Sequence, residues 1–86
     1  MKRDAPFFDN NDPRLIYIAK RLDDSLRLEC VLTESGVDFG VEADRYRGGM
    51  IFRTDRVGAF FYVLPEAEAQ AREILQRVGF RPYQEE

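Results

Sequence analysis

Arginines are concentrated in one part of the chain, residues 44–56. Four arginines and no lysine occur there, and two aspartates reduce the formal charge of the stretch to +2 (four minus two), whereas the whole chain carries −3. The planar guanidinium group binds phosphate or carboxylate through paired hydrogen bonds, and an aromatic ring can stack on a base or a guanidinium. We therefore predict a surface that binds an anionic ligand or a partner, formed by Arg45, Tyr46, Arg47, Arg53 and Arg56.

Three interpretations of this arginine cluster (Arg45, Arg47, Arg53 and Arg56) stay open. Solvated charges on a hairpin would keep an exposed strand edge from pairing with other chains. The same charges could bind an acidic patch of a partner protein, or a small anionic ligand such as a nucleotide. If turns lay at opposite ends of the strand that carries them, the arginines would not converge on one site.

The amino-acid composition gives little support to catalysis or to metal binding. The chain contains no histidine and one cysteine, Cys30, which excludes Ser–His and Cys–His nucleophile pairs and ordinary zinc sites within one chain. Cys30 is expected to be a small buried hydrophobic residue. A carboxylate enzyme would use Glu29 with Asp38 or Glu42, although paired or solvated carboxylates are the usual state of such residues. We predict no catalytic residue, no metal and no cofactor.

A weaker candidate for anion binding is the pair Lys20 and Arg21, which comes just before the first predicted helix. Helix N-termini attract anions because their backbone N–H groups point outward. Asp23 and Asp24 already supply negative charge at that position, so we rank this site below the arginine cluster.

The bulk properties predict one domain. The chain has 86 residues, of which 44% are hydrophobic and 34% charged, as in soluble globular domains. We assign residues 14–83 to the domain, 1–13 to an N-terminal tail and 84–86 to a C-terminal tail. The net negative charge argues against nucleic acid as a partner. The longest uncharged apolar run, residues 57–64, is too short to cross a membrane, and no signal peptide is apparent, so we expect a reduced cytoplasmic protein.

The hydrophobic pattern predicts four strands and two helices. On the first helix, Leu22, Leu28 and Leu32 share the predicted buried side, with Leu26 and Cys30 on its flank. Gly36 and Gly79 are expected to end the helices in the left-handed conformation. Strands are predicted at residues 15–19, 37–42, 50–54 and 58–64, turns at 43–49 and 54–58, and helices at 24–35 and 65–78. Whether residues 80–83 add a short edge strand stays open.

This order, β-α-β-β-β-α with or without a short last strand, predicts an α+β plait with a mostly antiparallel sheet and both helices on one face. Large apolar residues alternate along the fourth strand, so both of its faces are apolar. We expect the open face to be covered by a second copy of the chain, through Phe60, Phe61 and Tyr62. Phe7 and Phe8 would fold back on the domain or anchor a partner.

Residues 15–37 resemble the opening of a small bacterial family of prokaryotic signal-transducing proteins. Members of that family have a short strand and then a helix that ends in Leu-Leu-Glu-Ser-x-Gly-Ile, followed by another strand. A later strand and a helix rich in alanine, glutamate and leucine, here residues 59–78, also fit. The matching residues in the opening are Asp24, Leu28, Val31, Leu32, Glu34, Gly36 and Val37.

The resemblance implies a ferredoxin-like plait similar to that of the nitrogen-regulatory PII proteins, and no established activity. The tripeptide Tyr46–Arg47–Gly48 resembles part of the long regulatory loop of PII proteins. The glycine- and lysine-bearing segments that hold ATP in PII proteins have no counterpart in this sequence, so ATP binding is not carried over.

We therefore predict a small non-enzymatic regulatory or interaction module, similar to signal-transduction proteins and homodimeric. The first alternative is a sensor domain that binds a small anionic ligand, such as a nucleotide, through the arginine-rich hairpin. The second alternative is a carboxylate-based enzyme or an accessory subunit of one.

Overall fold

A computed structural model describes residues 1–9, 11–48 and 54–84. Within these residues β3 lies at the centre of a three-stranded sheet and pairs antiparallel with both β1 and β2. The predicted α+β class with an antiparallel sheet is confirmed. The elements are α1 (Ala5–Phe8), β1 (Arg14–Ala19), α2 (Leu22–Glu34), β2 (Phe39–Gly48), β3 (Thr54–Val63), a 3₁₀ turn (Pro65–Ala67) and α3 (Glu68–Arg77).

The helices α2 and α3 end at glycines, as the sequence predicts. Gly36 and Gly79 have φ angles of 74° and 92°, a region that strains residues with a Cβ atom. After α3, the Phe80 N–H donates to the Leu75 carbonyl oxygen at 2.8 Å, which is the long hydrogen bond of a Schellman motif. These stops turn the chain sharply, so that α2 leads directly into β2 and α3 into the C-terminal tail.

The hydrophobic core lies between one face of the sheet and the helices α2 and α3. The rings of Phe39 and Phe61 stack there with centroids 6.0 Å apart. Burial of side chains of this size contributes about 1.5–3 kcal/mol each. The other core residues with no exposed surface are Ile16, Val63, Leu28, Leu32, Ala71 and Leu75.

The opposite face of the sheet is covered in part by the two ends of the same chain. Phe60 and Tyr62 lie on this face and are half-buried, whereas Phe61 between them is in the core and 0% exposed. At the β2 side, Phe8 of α1 is 8% exposed and packs over Gly40. The expectation that Phe8 folds back on the domain is confirmed. The dimer interface at Phe60, Phe61 and Tyr62 stays a prediction.

The predicted turns at residues 43–49 and 54–58 are wrong within the described residues. β2 continues to Gly48 and β3 begins at Thr54, and the pairing runs without interruption from Phe39↔Val63 to Gly48↔Thr54. The glycines and charged residues of these stretches suggested turns, because glycine and aspartate are common turn residues. The predicted strand at 50–54 lies almost entirely outside the described residues.

Residues 80–83 do not form the short edge strand that the sequence leaves open. Pro82 has no N–H group to donate to a strand ladder. One backbone hydrogen bond replaces the strand, because the Tyr83 N–H donates to the Ile16 carbonyl oxygen at 2.7 Å. The predicted N-terminal tail likewise contains α1, and it forms a parallel bridge between Lys2 and Phe39.

Gly40→Ala tests how α1 covers the sheet. A Cβ atom at residue 40 would lie 2.5 Å from Cε2 of Phe8. We expect the substitution to lower the free energy of unfolding by about 1–3 kcal/mol, because the ring must move off the sheet. Urea denaturation of Gly40→Ala, Phe8→Ala and the double variant checks this. The cost of Gly40→Ala should shrink in the Phe8→Ala background, and an equal cost in both backgrounds would contradict the contact.

Candidate functional site: the β2–β3 arm and the groove at the C-terminal tail

β2 and β3 extend past β1 as a two-stranded arm, which we define as residues 45–48 and 54–57. β1 pairs with β3 only as far as Ala19↔Ala59, whereas β2 continues to pair with β3 up to Gly48↔Thr54. The arm contains most of the predicted arginine cluster, and Arg53 lies outside the described residues. The backbone pairs are Arg45↔Val57, Tyr46↔Arg56 and Arg47↔Asp55.

The arm brings three of the arginines onto one short segment. Facing residues of an antiparallel pair have Cα atoms about 4.5–5.5 Å apart, so the backbones of Arg45, Arg47 and Arg56 lie close together. The side chains of Arg45 and Val57 are exposed, as is Asp44 just before the arm. At Arg45 and Val57, the surface of the arm is therefore open to solvent and does not enclose a small ligand.

An apolar patch, defined as Leu22, Leu26 and Val57, lies at the base of the arm. Their exposed fractions are 76%, 55% and 67%, and with Met1 they are the large apolar residues that stay exposed in the described part of the chain. Leu22 and Leu26 are one turn apart on α2. Leu22 and Val57 line the same shallow cavity of about 250 Å³. The prediction that Leu22 is buried is therefore wrong.

Cys30 is exposed, which corrects the prediction of a small buried residue. The buried side of α2 is a narrow arc formed by Ser25, Leu28 and Leu32. At 100° per residue, Cys30 falls almost opposite the centre of that arc. Leu22, Leu26 and Cys30 thus form a stripe with a spacing of four residues on the outer side of the helix.

Two of the carboxylates considered for catalysis hold the N-terminal segment. Glu29 pairs with Lys2 at 3.3 Å, and Asp38 pairs with Arg3 at 3.0 Å. The backbone N–H of Arg3 also donates to the carbonyl oxygen of Phe39 at 2.7 Å. Glu29 and Asp38 therefore bind the N-terminal residues beside the start of β2, which gives both carboxylates a structural role.

Glu42, the third of these carboxylates, is exposed and lines a cavity of about 390 Å³ together with Tyr62. Burial raises the pKa of Tyr62, and the negative charges of Glu42 and Asp44 raise it further. The described residues contain no group of three or more Asp, Glu or Cys side chains placed to hold a metal ion. Within the same residues, no helix combines the length and the apolar character that crossing a bilayer requires.

A groove of about 760 Å³ lies between β1, the first turn of α2 and the C-terminal tail. Arg72 of α3 fixes the tail that forms its outer wall. Its Nη1 donates to the Tyr83 carbonyl oxygen at 2.5 Å and its Nη2 to the Leu15 carbonyl oxygen at 3.3 Å. Glu68 orients the guanidinium group, because its Oε2 accepts from Arg72 Nε at 3.1 Å.

Comparison with known proteins finds no relative of this chain. The chain matches no protein-family model, no curated protein and no solved structure. The resemblance to signal-transducing proteins therefore rests on the sequence residues quoted above, and its implications for function are proposals.

Sequence reasoning found the arginine cluster and named Lys20 and Arg21, which the structure places in the lining of the groove. It missed the apolar patch and the C-terminal wall of the groove. The four-residue spacing of Leu22, Leu26 and Cys30 was a usable signal, because Ser25, Leu28 and Leu32 define a different side of the same helix. For the groove, the signal was the segment Arg81–Pro82–Tyr83 directly after a glycine stop. It indicates a chain that turns back toward the sheet.

Arg72→Ala tests the attachment of the tail. We expect it to lower the free energy of unfolding by about 1–3 kcal/mol, because two backbone carbonyl oxygens lose a charged donor. Arg77→Ala is the matched control on the same helix, since Arg77 pairs only with Glu73 and both side chains are exposed. Denaturation of both variants checks this, and equal costs would contradict a special role of Arg72.

The raised pKa of Tyr62 leads us to expect that the protein loses stability at alkaline pH. Its raised pKa means that the folded chain keeps the phenol proton when the unfolded chain, with a pKa of about 10, has lost it. The contribution of the Tyr62 pKa shift to the free energy of unfolding is therefore complete below about pH 10 and decreases as the pH rises above that value. When the free energy of unfolding is measured against pH, it should fall less steeply above about pH 10 in Tyr62→Phe than in the parent. Parallel curves would contradict this assignment.

Proposed function

We propose that this chain is a small non-enzymatic interaction module of the signal-transducing kind. The arm and the apolar patch together bind a partner protein whose surface is acidic and partly apolar. The observation that carries the proposal is that Leu22, Leu26 and Val57 stay exposed at the base of the arginine-bearing arm. Protein interfaces combine an apolar centre with a polar rim, and arginine is enriched in them.

The exposure of the arm favours a protein partner over a small anion at this surface. Sites for small ligands are concave and bury most of the ligand. The described side chains at the arm, Asp44, Arg45 and Val57, are exposed, so a small anion bound there would stay in water, where ion pairs are weak. A protein surface laid across the arm and the patch excludes that water. Its acidic groups also gain from electrostatic steering toward the arginines.

A second copy of the chain is one candidate partner, and homodimerisation stays part of the proposal. The open sheet face is a less favourable place for it, because Phe8 of α1 already packs over Gly40 on that face. Phe60 and Tyr62 are half-buried, whereas the apolar patch is largely exposed. We therefore place the contact of a second copy at the patch.

We also infer that the fold is a ferredoxin-like plait whose last strand is reduced to one residue. In that arrangement the final strand pairs with the outer edge of the first strand. The sheet order β1-β3-β2 supports this, as does the hydrogen bond from the Tyr83 N–H to Ile16 on the outer side of β1.

Photo-crosslinking in the native cell tests the proposed surface. A photoreactive phenylalanine analogue replaces Val57 at the patch or, as the control, the exposed Gln76 on α3. We expect specific crosslinked products from residue 57 and none from residue 76. A product at twice the mass of the chain identifies a second copy, and any other mass identifies a different partner.

The arginines supply the second readout. Arg45→Ala with Arg47→Ala should remove the products formed at residue 57, because the acidic rim of the partner loses its counter-charges. The Arg77→Ala variant, which removes an exposed arginine outside the surface, should keep them. Residue 57 without any specific product in growing cells would overturn the proposed function.

A further inference from the structure

The groove beside the C-terminal tail combines an apolar floor with a basic rim. Its floor is formed by Leu15 and Ile18 of β1, Phe60 of β3 and Pro82 of the tail. Its volume of about 760 Å³ lies within the range of pockets that hold small organic ligands. The floor can therefore cover a flat aromatic or short aliphatic body.

The charge of the groove is opposite in sign to that of the whole chain. Lys20, Arg21 and Arg81 line it together with one carboxylate, Asp24, so its formal charge is +2 (three minus one), against −3 for the chain. Arg21 has only a long contact of 3.7 Å to Asp23, with both side chains 77% exposed. An incoming anion can therefore replace Asp23 as the partner of Arg21 at little cost in free energy, because so exposed an ion pair is weak.

The walls of the groove are fixed before any ligand arrives. Pro82 is buried, the Tyr83 N–H donates to Ile16, and Arg72 holds the Tyr83 carbonyl oxygen. A wall that is already ordered costs no further conformational entropy when a ligand binds. The same hydrogen bond occupies the outer edge of β1 at Ile16, so an extended peptide has no continuous strand edge to pair with there.

We propose that this groove binds a small organic anion. Its apolar body lies on Ile18 and Phe60, and its carboxylate, phosphate or sulfonate group lies between Arg21 and Arg81. The groove adjoins the cavity at the apolar patch, which Lys20 and Arg21 also line, but Ile18, Phe60 and Arg81 do not line that cavity. The proposal does not depend on the function proposed above.

Two fluorescent probes that differ in one charge test the site. Anilinonaphthalene sulfonate has the required aromatic body and anionic group, and phenylnaphthylamine has the same rings without the sulfonate. Arg21→Ala with Arg81→Ala should raise the Kd of the sulfonate by about tenfold, and change that of the neutral probe by less than about twofold. Arg14→Ala with Arg77→Ala removes the same charge elsewhere and should leave both constants unchanged.

Further variants separate the groove from other apolar surfaces. Phe60→Ala should weaken both probes, and Ile18→Ala serves the same purpose if the first variant loses its fold. Leu26→Asp, in the apolar patch, should affect neither probe. The proposal is overturned if the parent binds the sulfonate no better than the Arg21/Arg81 variant does. Sensitivity of both probes to Leu26→Asp and not to Phe60→Ala would also overturn it.

Discussion

The central strand β3 imposes the constraint on which the rest of this structure depends. It has a paired strand on each side, and its large side chains alternate between the two faces of the sheet. Phe61 and Val63 require cover on one face, and Phe60 and Tyr62 require it on the other. α2 and α3 cover the first face over Phe61 and Val63, which have no exposed surface. The chain has no further long helix among its described residues for the second, so α1 and the C-terminal tail share that role and leave a groove between tail and sheet.

The difference in strand length has a second consequence. β1 has six residues, whereas β2 and β3 have ten each, so one end of the sheet projects as two strands only. A two-stranded projection is not packed on both faces and accepts charged residues that a covered strand would exclude. Arginines can therefore collect there without loss of core packing. The exposed leucines of α2 lie beside this projection because β1, which would have reached them, ends at Ala19.

How far the sequence predicts this fold depends on how local the deciding interaction is. Gly36 and Gly79 act within one turn of helix, so both helix ends are predictable from their neighbours. The buried arc of α2 depends on which side of the helix meets the sheet. The spacing of Leu22, Leu26 and Cys30 marks a second apolar stripe, but a helical wheel alone does not say which stripe the sheet covers. The arm escaped prediction because Gly58 suggests a turn, whereas the structure places it in a strand opposite Asp44. Arg72 was unremarkable in sequence, since its partners Leu15 and Tyr83 are distant along the chain.

Arg72 also links the stability of the fold to the groove. Its guanidinium group holds the tail against β1, and the tail is both the cover of the outer edge of β1 and the outer wall of the groove. A ligand in the groove would contact this tail and would therefore stabilise it, since anything that binds only the closed arrangement shifts the equilibrium toward it. Arg72, the hydrogen bond from the Tyr83 N–H to Ile16 and the burial of Pro82 hold the tail in place. Occupancy of the groove and protection of the β1 edge are thus coupled through a segment of three residues.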